Sequence, residues 1–199
     1  MSQTHFEVVK LDVPDSDISY IENFIDLDTS NSLYDLLIKT TPWQQDDIKV
    51  FGKLYPQPRL TAFYSLNTQP YSYSNISMQP HPFTNELLEL MEKIKHLTNI
   101  DFNSCLINLY RNGKDSNGWH ADDEKELGKN PKIASISLGQ ERFFYLRHKT
   151  DQHRKQKLRL AHGSMLLMQG ATQHFWQHQI PKTTKPIGPR INLTFRILK

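Results

Sequence analysis

Hydrophobic and polar positions change rhythm along this chain. Residues 1–27 alternate irregularly, as an edge strand or a wrapping arm would. Leu33, Leu36 and Leu37 then fall at helical spacing, which predicts a helix over about 30–40 with Asp28-Thr29-Ser30 as N-cap candidates and Pro42 as its stop. The stretch 48–83 is rich in Pro, Tyr, Ser and Asn and contains extended pieces such as IKVFGKLY and QPYSYSN, so paired strands or hairpins fit it better than a helix. Thr84 is a good N-cap for a second helix within 84–101, whose Leu87, Leu88, Leu90, Met91, Ile94 and Leu97 form an apolar stripe.

From 102 to 199 the pattern is β. CLINLY, ASISLG, RFFYLRH, RLAHGSMLLMQ, QHFWQH and RINLTFRIL are short, rich in aromatic or β-branched residues, and separated by Gly, Pro or charged turns. Two helices followed by a run of short strands predict a mainly β chain with flanking helices (α+β). Its core would be a double-sheet jelly roll or sandwich with the helices on one outer face. A length of 199 residues suits one domain spanning 1–199, divided as 1–47, 48–83, 84–101 and 102–199.

Composition adds limits. The hydrophobic fraction of 37% and charged fraction of 23% are those of an ordinary globular protein. No stretch approaches 18 consecutive apolar residues, so no membrane span is expected, and the first residues have no basic stretch leading into an apolar one, so no secretory signal is expected. Cys105 is the sole cysteine, which excludes an internal disulfide and fits a reducing intracellular compartment. That compartment is the cytoplasm in a bacterium or the nucleus in a eukaryote. Flanked by Leu106-Ile107, Cys105 reads as a small core residue. A net charge of +3 and a pI near 8.9 are compatible with a polyanionic partner without establishing one.

Chemistry concentrates in two places. In an extended segment, residues i and i+2 share a face, so His120 and Asp122 in Gly-Trp-His-Ala-Asp-Asp-Glu converge on a point, with Cα atoms ~6–7 Å apart. An imidazole and a carboxylate so aimed are two-thirds of the 2-His-1-carboxylate triad that binds iron(II) and leaves positions open. The third ligand must come from His148, His153, His162, His174 or His178. His148 and His153 lie in the charged run RHKTDQHRKQK, most simply a solvated turn, and His162, in Leu-Ala-His-Gly-Ser, reads as a turn residue. His174 and His178 share parity in TQHFWQHQI read as one strand, and spacing alone hardly separates them. The last strand alternates fully: Arg190, Asn192, Thr194 and Arg196 against Ile191, Leu193, Phe195 and Ile197. An edge strand with one wet face would do this. So would a slot for a small dicarboxylate, because a guanidinium pairs with a carboxylate bidentately. Asn108 and Tyr110 share one face of CLINLYRN and could add donors.

Taken together these motifs resemble the AlkB family of oxidative dealkylation enzymes. The matching pieces are N-L-Y (Asn108, Tyr110), W-H-A-D-D-E (His120, Asp122, Asp123), L-A-H-G-S-M-L-L-M, W-Q-H-Q-I-P-K (His178) and R-I-N-L-T-F-R (Arg190 to Arg196), in order and at family spacing. The resemblance runs from about Val50 to Lys199. It is closest to the DNA-repair homologues that act on duplex DNA, through Val50-Phe51-Gly52-Lys53 and Tyr71-Ser72-Tyr73-Ser74-Asn75.

The resemblance implies a double-stranded β-helix, with iron(II) held by His120, Asp122 and His178. It implies 2-oxoglutarate against Asn108, Tyr110, Arg190, Asn192, Thr194 and Arg196, with O2 as the other co-substrate. Tyr73 and His120 would wall the damaged base, Asp123 would meet its polar edge, and Val50, Phe51, Gly52 and Lys53 would form a loop that intercalates where the base has left the stack. The implied reaction is oxidative demethylation of bases such as 1-methyladenine and 3-methylcytosine, with release of formaldehyde, succinate and CO2. The implied partner is double-stranded DNA, with single-stranded DNA or RNA as the alternative, and the protein would be a monomer. Tyr71-Ser72-Tyr73 departs from the Tyr-Thr-Phe of the duplex-preferring relative, toward the homologue that favours single strands and RNA. A catalytically inert binding domain would have lost a ligand or an arginine, and here all are present.

Overall fold

The computed structural model describes residues 6–50, 52–68, 71–73 and 76–199. β1 (Val9–Lys10) and β2 (Asp17–Ile21) lead into α1 (Leu27–Thr40). The helix is capped by Asp26, earlier than the sequence suggests: its extended backbone lets the carboxylate accept the Thr29 N–H at 2.9 Å, satisfying one of the orphan donors of the first turn. Thr41, next to Pro42, caps the other end. β3 (Asp47–Val50) and β4 (Lys53–Pro56) form a hairpin, β5 (Leu60–Ser65) follows, and β6 (Tyr71–Tyr73) with β7 (Ile76–Met78) form a second hairpin. α2 (Asn85–Thr98) starts at the expected Thr84 cap and ends on Asn99 in the left-handed region.

The remaining strands are β8 (Ser104–Tyr110), β9 (Asn117–His120), β10 (Ile133–Gly139), β11 (Arg142–His148), β12 (Lys155–Leu160), β13 (Ser164–Gln169), β14 (Trp176–Ile180) and β15 (Arg190–Arg196), with a one-turn helix α3 (Thr172–Phe175) before β14. They make a seven-stranded antiparallel sheet, β1-β2-β13-β10-β15-β8-β5, facing a four-stranded one, β12-β11-β14-β9. This is the expected double-sheet core. The described part of 1–27 does supply an edge, since β1 and β2 extend the larger sheet beyond β13.

Side-chain parity sorts the interior into layers. On the outer face of the large sheet, Ile107, Leu109, Ile136, Leu138, Ile191, Leu193 and Phe195 pack with Leu37 of α1 and Leu87, Leu90, Met91 and Ile94 of α2. Both helices therefore cover one outer face. Cys105 is buried in that layer, as expected of a core residue, and burial pushes its thiol well above the usual range. Between the sheets lie Tyr20, Tyr110, Ile133, Phe144, Leu146, Leu166, Met168, Trp176 and Ile180. Beyond the reach of the small sheet, Met78 of the second hairpin covers Phe63 and Leu106, with Ile48 of the first hairpin against them.

Two sequence expectations change. β15 is no edge strand: it is the fifth of seven, paired with β10 and β8, and every residue in it is buried. Residues 172–175 are helical, so His174 and His178 do not share a strand and their parity argument fails. The charged run 147–157 is a hairpin joining two real strands, and His148 is buried beneath it against Phe175 and Trp176.

Leu193→Ala, at the centre of the outer layer with no solvent exposure, should lower the free energy of unfolding in urea by about 2–5 kcal/mol. A loss under about 1 kcal/mol would mean that this layer is not a packed core.

Candidate active site

β9 and β14 are neighbours, and their register sets His120 directly opposite His178. The chain leaves the sheet after His120, so Asp122 turns inward rather than continuing a strand. The ligand atoms of His120, Asp122 and His178 all lie within 4.8 Å of one another. His120 Nδ1 lies 2.7 Å from the Gly118 carbonyl, to which its N–H donates, leaving Nε2 facing Asp122 Oδ1 at 3.7 Å. The His178 ring stacks on Phe144 with centroids 5.1 Å apart, and it meets the His120 ring edge-on at 4.2 Å.

Charge balance fixes the protonation states. Burial alone would raise the Asp122 carboxyl, but the hydrogen-bonded Arg196 guanidinium holds it well below the usual carboxylate range. Arg196 Nη2 donates to Asp122 Oδ2 at 2.8 Å, with both side chains almost wholly buried. Burial pushes the His178 imidazole down to about 3 and lowers that of His120, so both rings are neutral. Asp122 Oδ1 is buried with no hydrogen-bond partner. Two neutral imidazoles and a carboxylate oxygen without a donor fit a divalent cation that takes N and O ligands, and the donor set suits iron(II) with open positions.

The cavity behind this cluster is lined by Asn108, Tyr110, Arg190, Asn192, Thr194 and Arg196 as well as by the three candidate ligands. The polar face of β15 therefore points between the sheets, onto the same space as His120 and Asp122. Arg190 is 1% exposed; burial lowers it to about 10 against the opposing pull of the Tyr110 phenol, Nη2 donates to Ser137 Oγ at 2.9 Å, and Nε and Nη1 make no hydrogen bond of regular geometry. Asn192 is committed differently: Nδ2 donates to Ser135 Oγ and the Ile136 carbonyl, and Oδ1 accepts from Thr194 Oγ1.

The residues expected on the substrate side are more scattered. Gly52, at φ +81°, occupies the β3–β4 turn, where its missing Cβ permits a left-handed backbone. Lys53 is exposed at the start of β4. Phe51 lies outside the described residues, and for Val50, Tyr71, Ser72 and Tyr73 the backbone places them on β3 and β6. Asp123 is exposed beside the cluster and pairs with Lys149 at 3.1 Å.

Several participants escaped the sequence. Arg59 is 4% exposed and donates from Nε to Asn108 Oδ1 at 2.9 Å, fixing the amide that faces the cavity. Ser135 and Ser137 orient Asn192 and Arg190, and Asn117 Nδ2 lies 3.0 Å from His120 Nε2. An arginine after Pro58 carries no local signal; only the β5–β8 pairing brings it near Asn108. The two serines were legible in principle as the polar alternates of ASISLG.

A model of the 2OG-Fe(II) oxygenase superfamily matches residues 17–196. Alpha-ketoglutarate-dependent dioxygenase alkB homolog 3 of Bos taurus is 44% identical over 187 residues, covering 87% of this chain and 63% of that protein. DNA oxidative demethylase ALKBH2 of Arabidopsis thaliana is 38% identical over 214 residues, covering 92% of this chain and 67% of the relative. The chain thus spans about 63% of the length of the alkB homolog 3 proteins that it matches. The solved structure of OsALKBH1 superposes with a TM-score of 0.67 at 16% sequence identity over 96% of this chain and 100% of that one, a likeness of fold.

His120→Ala, Asp122→Ala and His178→Ala should each abolish binding of Mn(II) in a calorimetric titration, whereas His174→Ala, whose exposed ring faces Asn130 at 2.8 Å, should bind as the parent does. Retained binding in the His178 variant with loss in the His174 variant would overturn the ligand assignment.

Proposed function

The chain belongs to the 2OG-Fe(II) oxygenase superfamily, and from that premise we propose that it is an iron(II)- and 2-oxoglutarate-dependent dioxygenase that removes alkyl groups from nucleic-acid bases. The observation that carries this reading is a single space that joins the His120–Asp122–His178 cluster to the buried guanidinium of Arg190. A dicarboxylate with a 2-oxo end needs both: a metal for the oxo acid and a cation at the far end.

The two arginines divide the work. Arg196 is spent on Asp122, close to the metal ligands, so it neutralises the metal-proximal end. Arg190 lines the same cavity as a buried guanidinium, the cation proposed to meet the distal carboxylate through a charge-assisted hydrogen bond. Tyr110, whose ring lies 5.3 Å from the Arg190 guanidinium, forms part of the same wall. When bound, iron supplies activation of O2 coupled to oxidative decarboxylation of 2-oxoglutarate. The chain's own part would be to hold the metal through His120, Asp122 and His178, orient the co-substrate and keep water out through Phe144, Leu160, Met168 and Ile180.

Nucleic acid as the partner is supported by the kinship with alkB homolog 3 and ALKBH2 and by the outer face of the small sheet. There Lys155, Lys157 and Arg159 stand opposite Arg147, Tyr145 and Phe143, with Lys157 Nζ 3.8 Å from the Phe143 ring centroid. Cations interleaved with exposed aromatics are the pattern that tracks a phosphate backbone and stacks bases. Bases methylated on the Watson–Crick edge, 1-methyladenine and 3-methylcytosine, are the proposed lesions, and in a duplex they must be flipped out to reach the cavity. Double-stranded DNA is the proposed substrate, with a single-strand or RNA preference as the second reading on the strength of Tyr71-Ser72-Tyr73.

Formaldehyde release from methylated single- and double-stranded oligonucleotides tests the proposal; release that depends on 2-oxoglutarate supports it, and no release from either substrate refutes it. In the same assay Arg190→Lys should raise the 2-oxoglutarate requirement by about 10- to 150-fold, the equivalent of roughly 1.5–3 kcal/mol for one charge-assisted contact. An unchanged requirement would remove Arg190 from the co-substrate site.

Duplex action is assigned to Phe51, which lies outside the described residues and is flanked in the sequence by Lys49 and Lys53. Filling the gap left by a flipped base recovers part of its unstacking energy. Phe51→Ala should therefore cut repair of duplex substrate about tenfold or more while sparing single strands. Equal loss on both, with a lowered melting temperature, would make Phe51 a core residue of the hairpin.

A further inference from the structure

The segment 121–124 after β9 belongs to no strand, yet Asp122 within it is 1% exposed. A buried N–H in irregular backbone needs an acceptor from elsewhere. That acceptor is Gln173: its Oε1 takes the Asp122 N–H at 2.9 Å, and Gln173 is itself 1% exposed. Gln173 Nε2 points to Met168 Sδ at 3.5 Å, so the carboxamide is held at both ends. Its backbone carbonyl accepts from Lys149 Nζ at 2.9 Å, and the same ammonium reaches Asp123. The turn that presents Gln173 is pinned in turn, since Thr172 Oγ1 donates to the Gln169 carbonyl and accepts from the Asp17 N–H on β2.

We propose that Gln173 is a positioning residue for the Asp122 carboxylate, fixing the ligand's backbone while Arg196 fixes its Oδ2. Two points of attachment on opposite ends of the residue leave Oδ1 one direction to face, toward the imidazoles. The one-turn helix α3 that displaces the expected strand is what brings Gln173 under the loop. A single residue thereby ties Asp122 by its side chain and Asp123, through Lys149, by its carbonyl. The proposal rests on the metal-site reading above.

The test compares Gln173→Leu, which has no acceptor, with Gln173→Glu, which keeps a carbonyl oxygen at the same reach. Co(II) is titrated into each metal-free protein, its visible absorption bands are recorded, and melting temperatures are measured alongside. The leucine variant should bind Co(II) about 10- to 100-fold more weakly with altered bands, and the glutamate variant should stay within a few-fold of the parent. A melting temperature that falls in the leucine variant while Co(II) affinity and bands stay unchanged would reduce Gln173 to a structural residue. Equal weakening in both variants would also overturn the acceptor role. Failure of the parent itself to bind Co(II) would sink the metal site, and this role with it.

Discussion

The ion pair between Arg196 and Asp122, 2.8 Å long and sealed from solvent, is the contact on which the rest of the site depends. Burying two charges is costly, and removing one partner from such a pair typically costs about 3–5 kcal/mol because the other is left stranded. This pair joins the centre of the large sheet to the loop that leaves the small one, so it also sets the spacing between the layers at the point where the chemistry sits. It occupies Asp122 Oδ2 and leaves Oδ1 without a donor. A structure selected for stability alone would have filled this space with apolar side chains. Here polar groups incompletely satisfied by the protein converge on one cavity, which is where a ligand can supply what folding does not.

The strict alternation of β15 explains how one strand serves two cores. Its apolar half belongs to the layer under α1 and α2, and its polar half lines the cavity. Every substitution there is felt on a rigid, doubly paired strand. Val50, Lys53 and Tyr71 to Tyr73, proposed for the substrate side, sit on small two-stranded hairpins instead, attached through contacts such as those of Met78 and Ile48. On the proposed reading, cofactor chemistry lies on the scaffold and recognition on the hairpins.

Much of this was legible in the sequence, and the failures have physical causes. The alternation of residues 190–197 revealed the two-faced strand, but alternation cannot say whether the polar face meets water or another sheet. Only the pairing of β15 with both β8 and β10 decides it. Thr84 announced α2 because its cap is local, whereas Asp26 lost to Asp28-Thr29-Ser30 in the reading because several good caps stood close together. TQHFWQHQI looked like one strand because its aromatics favour β. Thr172 and the tie to Asp17 turn its first half into α3, and the Asp17 contact is 155 residues away. Arg59 and Gln173 were invisible for the same reason: each acts through a partner that sequence spacing does not bring near.

The central claim is that the metal cluster and Arg190 hold opposite ends of one molecule of 2-oxoglutarate. Calorimetric titration of 2-oxoglutarate into the protein, with and without saturating Mn(II) and without O2 turnover, addresses it most directly. The account predicts one molecule bound per chain and a strong dependence on the metal, because the oxo-acid end has no other partner of comparable strength. Binding of equal affinity in the metal-free protein, or no binding with Mn(II) present, would contradict it.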